Sequence, residues 1–205
     1  MSIKPIIGIV TRKSNSLENH DISIIYTDIQ KSIIKNNGIP IGITFYDNYK
    51  SLIDMCDGII FQGGDNFERY DLEALQYAYE INKPVLGICL GMQLMGVLFE
   101  GNMIDINNHK KTLNYVHEVK IKRNSTLYNI FKSNKIKVNS RHKSVIINTK
   151  INVSGISQDG YIEALEDPRK KFFIGVQWHP ETMIYYDNKQ NNIFKYFIKF
   201  CGKTI

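Results

Sequence analysis

Three short clusters contain residues whose types and spacing suit acyl-transfer chemistry. The pentapeptide Gly87-Ile88-Cys89-Leu90-Gly91 lies where an apolar run gives way to a helical pattern, so Cys89 is expected on a sharp strand-to-helix turn. Such an elbow holds its central residue in a strained conformation, and glycines two positions either side remove side chains that would collide across the turn. A sulfur at a helix N-terminus also meets unpaired N–H groups that favour a thiolate nucleophile. Taken alone, the same five residues equally describe a buried cysteine between two helix-packing glycines. The second cluster, Val176-Gln177-Trp178-His179-Pro180-Glu181, follows a strand-like run. There His179 can take and return a proton at a thiol while Glu181 holds the imidazole in orientation. The third, Gly63-Gly64-Asp65, follows the run 57–61. Two glycines at a strand end let a backbone N–H approach an anionic oxygen, with the N–H of Leu90 as a second donor.

These clusters require a scaffold that ends strands and begins helices along one edge. Residues 5–10 form a continuous apolar run, the pattern of a strand covered on both faces. Asp21 is a candidate N-cap for a helix carrying Ile22, Ile25, Ile29 and Ile33 on one face and ending near Gly38. Further strands are expected over 39–45, 57–61 and 85–88, with a long helix over 71–82 and another from Leu90. This alternation predicts an α/β fold, a doubly wound, mostly parallel sheet with helices on both faces and its site at the carboxyl ends of the strands. After Gly101 the strand-like pieces 117–122, 135–138, 152–156, 161–165 and 172–177 follow without long helices. They predict a small antiparallel extension, with Asp159-Gly160 as a tight turn. A closing amphipathic helix places Ile193, Phe194, Phe197, Ile198 and Cys201 on one face. With no repeat or linker in view, 1–205 reads as a single domain.

Composition narrows the function classes. In 205 residues, 43% are hydrophobic and 22% charged, which excludes a disordered or collagen-like chain. The net charge of +6 comes from 26 Lys and Arg against 20 Asp and Glu, yet only Arg12, Arg69, Arg123, Arg141 and Arg169 are arginines. That argues against nucleic acid as a partner, because groove and phosphate recognition lean on arginine forks. Residues 109–150 carry eleven Lys and Arg against the single acid Glu118, a local +10. Lysines on exposed edge strands block sheet-to-sheet association, and such a face can also steer an anionic substrate. Cys56, Cys89 and Cys201 form no even-numbered framework and show no metal-ligand spacing, which predicts a reducing, cytoplasmic compartment. The uncharged run 84–99 is too short for a bilayer and is interrupted by Gly87, Gly91, Gln93 and Gly96, so no membrane association is expected.

In their order, Gly63-Gly64-Asp65, Gly87-Ile88-Cys89-Leu90-Gly91-Met92-Gln93 and Trp178-His179-Pro180-Glu181 resemble the class I glutamine amidotransferase superfamily over nearly the whole chain. Its γ-glutamyl hydrolase branch, which is peptidase C26-like and includes γ-glutamyl-γ-aminobutyrate hydrolases, is resembled further. The residues concerned are Lys4-Pro5-Ile6-Ile7-Gly8-Ile9, the stretch 26–41 ending in Asn37-Gly38-Ile39-Pro40, Val138-Asn139-Ser140-Arg141-His142 and Asp159-Gly160-Tyr161-Ile162-Glu163-Ala164. The resemblance implies a flavodoxin-like fold, a triad of Cys89, His179 and Glu181, and an oxyanion hole from the Gly64 and Leu90 amides. It also implies Gln93 near the glutamyl moiety and His142 at the border of the substrate pocket. The implied activity is hydrolysis of the γ-glutamyl amide bond of a small compound through a thioester, with no metal or organic cofactor. Two departures stand out. Leu90 replaces the arginine that often follows the nucleophile in the hydrolase branch, and the loop between Gly64 and Asp71 is shorter than that branch usually has.

The first departure, a leucine that synthase-associated glutaminase domains commonly show, keeps open a rival, a glutaminase subunit that supplies ammonia to a separate synthase partner; the second removes part of the substrate-pocket wall. A binding protein that uses the pocket without turnover is a further rival, against which an intact triad argues. Among the remaining residues of chemical interest, His20 and His109 lie in polar stretches and are expected to face solvent. His117 opens an alternating strand and reads as structural, and Cys56 and Cys201 read as core thiols.

Overall fold

The computed structural model describes residues 3–44, 48–107 and 109–202. The chain begins with β1 (Ile6–Val10), then a hairpin of β2 (Arg12–Asn15) and β3 (Asp21–Ile24), and then α1 (Thr27–Lys35). Next come β4 (Ile39–Ile43), α2 (Tyr49–Met55), β5 (Gly58–Phe61), α3 (Arg69–Glu80), β6 (Val85–Ile88) and α4 (Leu90–Leu98). The second half holds β7 (Asn102–Asp105), β8 (His117–Ile121), α5 (Thr126–Phe131), β9 (Lys135–Val138) and β10 (Ser144–Ile147). It ends with β11 (Asn152–Ser157), β12 (Ile162–Glu166), β13 (Phe173–Val176), a 3-10 turn Pro180–Thr182 and α6 (Asn188–Cys201).

Nine strands form one sheet in the order β4-β1-β5-β6-β13-β12-β11-β8-β9. From β4 to β13 every pairing is parallel; from β13 to β9 every pairing is antiparallel. This is the doubly wound α/β sheet with an antiparallel extension that the sequence predicts. The central strands β5, β6 and β13 are buried at every position, as strands covered on both faces must be. One core layer packs Ile9, Ile60, Leu86 and Ile174 against Ile29 and Ile33 of α1 and Phe194 and Phe197 of α6. The other sets Ile59, Phe61 and Val85 against Ala74 and Leu75 of α3 and Met92 and Met95 of α4. At one edge β9 alternates exposed Lys135 and Lys137 with buried Ile136 and Val138, the charged edge that discourages further pairing. Gly160, at φ +90°, makes the β11–β12 turn expected from Asp159-Gly160.

The N-terminal helix departs from expectation. Asp21–Ile24 is a strand paired with β2, and the helix begins only at Thr27. Ile22 is exposed, so no core contact draws it onto the helical face, whereas Ile29 and Ile33 are buried. The β-branched run therefore takes the strand pairing. The expected strand 39–45 ends at Ile43, and its Phe45 lies outside the described residues. The short elements α2, α5, β7 and β10 were not legible in the sequence; each spans only four to seven residues, too few to establish a period. Among the described residues no helix is long and apolar enough to cross a membrane.

The junction of β6 with α4 is the tightest point of the fold. A Cβ on Gly91 would lie 2.0 Å from the Phe61 carbonyl oxygen, and one on Gly87 would lie 2.7 Å from the Gly91 carbonyl carbon. Neither neighbour is a flexible side chain, so the backbone itself would have to move. Gly91→Ala is expected to lower stability by about 1–3 kcal/mol or more. Gly202→Ala, where the nearest atom would be 3.4 Å away, should be near neutral. Urea midpoints of the two variants check this, and equal midpoints would contradict the close approach.

Candidate active site

Cys89 stands between β6 and α4 with φ +52° and ψ −105°, a region that costs a non-glycine residue about 1–3 kcal/mol. The backbone on both sides maintains that conformation. The Cys89 N–H donates to Val176 O of β13 at 2.8 Å, and the Cys89 carbonyl accepts from Gln93 N at 3.0 Å, the first turn of α4. Helix α4 is buried from Leu90 to Gly96, which anchors the turn from behind. The strand-to-helix elbow expected at Cys89 is therefore the observed geometry.

The neighbouring strand brings up His179. Beyond β13, Gln177 and Trp178 are fully buried, and the indole Nε1 of Trp178 donates to Gln190 Oε1 of α6 at 2.9 Å. His179 follows with its Nδ1 2.7 Å from Glu181 Oε1. Engagement of Nδ1 by the carboxylate leaves Nε2 for the sulfur. Asn139 grips the same residue by its main chain: its Oδ1 accepts from His179 N at 2.8 Å and its Nδ2 donates to His179 O at 3.0 Å. Burial alone would push the imidazole pKa down, but the Glu181 carboxylate and the Cys89 sulfur outweigh it and hold His179 up at about 10. Glu181 and the Cys89 sulfur thus flank the imidazole and together favour its protonated form.

The glycine loop after β5 closes the third side. A Cβ on Gly63 would fall 2.9 Å from His179 Cε1 and 3.6 Å from Cys89 Cβ, so only glycine fits where loop, imidazole and sulfur meet. Buried Arg12 holds this loop from below. Its Nη2 donates to Gln62 O at 2.6 Å, its Nε to Gly63 O at 3.2 Å, and its Nη1 to Asp71 Oδ1 at 2.6 Å. Gln62 is buried as well; its Nε2 donates to Val10 O and Ile24 O, and its Oε1 accepts from Tyr26 N. Arg12, Gln62, Asp71 and Asn139 are the residues that sequence reasoning missed. Arg12 and Asp71 are 59 positions apart, and only the sheet order makes them a pair.

Tyr26, Asp28, Gly64, Asp65, Cys89, Arg141, His179, Glu181 and Thr182 enclose a pocket of about 270 Å³. It lies beyond the carboxyl ends of β1, β5, β6 and β13, where open parallel sheets place ligands. The sequence-derived candidates Cys89, His179, Glu181 and Gly64 thus meet around one cavity, and the Leu90 side chain packs against Gly64. Gln93 and His142, expected at the substrate, are not among the lining residues. Gln93 is buried and donates to Ser144 O at 2.7 Å and Gln177 Oε1 at 3.2 Å, because it lies one turn into α4 and points under the elbow. His142 is buried in a polar cluster of the antiparallel extension, and Arg141 beside it lines the pocket instead. His109, expected to face solvent, is only 6% exposed and belongs to that same cluster. His20 is exposed as expected. Cys56 and Cys201 are buried thiols, and desolvation pushes both pKa values up, that of Cys56 to about 11.

Comparison with known proteins agrees with this geometry. The Peptidase C26 family model matches residues 67–181, more than half of the chain. A glutamine amidotransferase-like protein of Rickettsia prowazekii is 28% identical, over 89% of this chain and 93% of its own length. A Schizosaccharomyces pombe protein described as a glutamine amidotransferase is 31% identical, over 82% of this chain and 79% of its own. Among solved structures, a Thermoplasma acidophilum protein described as a GMP synthase subunit superposes with a TM-score of 0.74 at 18% identity, covering 97% of this chain and 95% of that one. With its class I glutamine amidotransferase fold and a cysteine elbow facing a His-Glu pair, the chain belongs to the peptidase C26 family of glutamine amidotransferase-like proteins.

Proposed function

We propose that this protein is a cysteine-dependent amidohydrolase that cleaves the γ-glutamyl amide bond of a small compound. The observation that carries the reading is the strained elbow of Cys89, aimed into a pocket whose opposite wall is the Glu181-oriented imidazole of His179. In the proposed sequence the Cys89 thiolate attacks the γ-carbonyl carbon, and the carbonyl oxygen, now negative, is held by the N–H groups of Gly64 and Leu90. His179 gives its proton to the leaving amine as the C–N bond breaks, forming a thioester. The neutral imidazole then takes a proton from water, whose oxygen attacks the thioester and restores Cys89. The pocket is small by the standard of ligand sites, which favours a compact substrate. Its Arg141 and its carboxylates Asp28 and Asp65 are the charges that would receive the carboxylate and ammonium of an α-amino acid end.

A second reading, a glutaminase subunit that serves a synthase, is favoured by Leu90 after the nucleophile and by likeness to a structure described as a synthase subunit. Turnover by the isolated protein separates the two. Purified protein is expected to hydrolyse glutamine or another member of a panel of γ-glutamyl amides of small amines unaided. Silence across the panel that a partner relieves would select the subunit reading. On any active substrate, Cys89→Ala should lower kcat about 1,000-fold or more, whereas Cys56→Ala and Cys201→Ala should change stability alone. Covalent labelling by a thiol-reactive glutamine analogue, read by mass spectrometry, must vanish with Cys89; labelling that survives would defeat the assignment.

The elevated pKa of His179 gives a pH signature. Nuclear magnetic resonance of the His179 ring should show a midpoint near 10, which Glu181→Gln and Cys89→Ser should each lower. Because the folded value lies above the ordinary 6.5, the pair's contribution to stability is complete below about pH 6.5 and is lost as pH rises through about 10. A midpoint near 6.5 that ignores both substitutions would remove the ion pair from the mechanism.

Arg12 is the positioning residue for the oxyanion loop. A lysine in its place cannot reproduce three directed donors at once, so Arg12→Lys is expected to cut kcat by about 10–100-fold with a smaller change in KM. A variant that keeps wild-type kcat would show that the loop holds its shape unaided.

A further inference from the structure

Beneath the antiparallel extension and outside the pocket, three histidines and a glutamate converge in the interior. His109 lies beyond β7, His117 opens β8, His142 lies between β9 and β10, and Glu163 sits in β12. Glu163 is fully buried, and His109 and His142 are 6% and 3% exposed. Ligand atoms of His109, His117 and Glu163 all lie within 4.8 Å of one another. Around them, Glu163 Oε1 is 3.3 Å from His117 Nε2, 3.5 Å from His142 Nε2 and 4.0 Å from His109 Nδ1, and the last two nitrogens are 3.3 Å apart. An ion held by tetrahedral bonds of about 2.0–2.1 Å separates neighbouring ligand atoms by roughly 3.3 Å.

The hydrogen bonds on the far side of each ring decide what these atoms present to one another. His109 Nε2 lies 2.7 Å from Asp159 Oδ2, so the proton of a neutral ring belongs there and Nδ1 is bare. His142 Nδ1 lies 3.1 Å from the Ser144 carbonyl oxygen, so the proton of a neutral ring belongs there too and Nε2 is bare. With both rings neutral, two bare lone pairs face each other at 3.3 Å, beside a carboxylate. Among the described residues His117 Nε2 and both Glu163 oxygens have no aligned hydrogen-bond partner, although all three are buried. Convergent lone pairs around an unsatisfied buried carboxylate are costly unless something positive lies between them. A carboxylate and a backbone carbonyl on the outer ring nitrogens are the supports that metal-bound histidines have.

We propose that His109, His117, His142 and Glu163 bind a divalent transition-metal ion, with Zn²⁺ the best match to three imidazoles and one carboxylate. Its role is structural. It ties the segment around His109 to three elements of the extension, and it fixes His142 at the end of the segment whose Asn139 clamps the main chain of His179. The site is independent of the hydrolase reading, since none of its ligands lines the pocket.

The test is metal content by mass spectrometry on purified protein dialysed against metal-free buffer, followed by chelation and titration with Zn²⁺ and Co²⁺. About one Zn²⁺ per chain is expected, a Co²⁺ form with visible ligand-field absorption, and a melting temperature that falls on chelation and recovers with Zn²⁺. His109→Gln and His117→Gln should each abolish stoichiometric binding, and Cys89→Ala should leave it intact. Asp159→Asn, which reaches the cluster only through the outer nitrogen of His109, should weaken affinity about 10–100-fold without abolishing it. If Glu163→Gln fails to fold, the histidine variants still decide the matter. Absence of saturable binding by the chelated wild-type protein would overturn the proposal, and ring resonances would then show a protonated imidazole balancing Glu163. Binding that persists in the His109→Gln, His117→Gln double variant would overturn it equally.

Discussion

The approach of Gly91 to the carbonyl of Phe61 is the constraint around which the site is arranged. It lets the first turn of α4 sit directly on the end of β5, and that contact sets the distance between the elbow and the glycine loop. With any larger residue at 91, the helix would rise from the sheet and carry Leu90 and Cys89 away from Gly63 and Gly64. The strained φ of Cys89 follows from the same contact, because the chain must leave β6 and enter α4 within one residue. Hydrophobic burial of α4 on the sheet is what sustains that strain.

Around this apolar hinge the polar groups form a set of braces, each tying a loop to another part of the fold. Arg12 and Gln62 tie the glycine loop to the ends of β1 and β3, and Asn139 ties the His179 main chain to the loop after β9. Trp178 and Gln190 tie the segment before His179 to α6. Every brace is buried, where an unpaired partner would cost about 1–3 kcal/mol, so each loop has one satisfied position and few alternatives. Pre-positioning of this kind spares the reaction from ordering its own groups.

The antiparallel extension ties a polar interior away from the pocket to the pocket's own frame. Gln177 N donates to Glu163 O, so the strand that leads to His179 is registered on the strand that carries the buried carboxylate. The His-Glu cluster and His179 thus share β12, β13 and the segment 139–142 as a common frame, and whatever balances the charge of Glu163 also steadies that imidazole.

The sequence alone determined those parts of the protein whose physics is local. A glycine pair around Cys89, consecutive glycines after β5 and the His-Pro-Glu run after β13 are each contained in a few residues, so Cys89, Gly64, His179 and Glu181 were legible before any fold was known. Long apolar runs and the amphipathic face of α6 marked the parallel half for the same reason. Tertiary structure decided everything that depends on distant segments meeting. It turned Asp21–Ile24 into a strand because the partner was β2, moved Gln93 beneath the elbow, and brought Arg12 to Asp71 across 59 residues. It also gathered His109, His117, His142 and Glu163 from four separate stretches, whose spacing matches no metal motif, because only the folded extension sets these strands and loops side by side. Side-chain chemistry is written in the residue, but burial and partnership belong to the sheet order, which no short window of sequence contains.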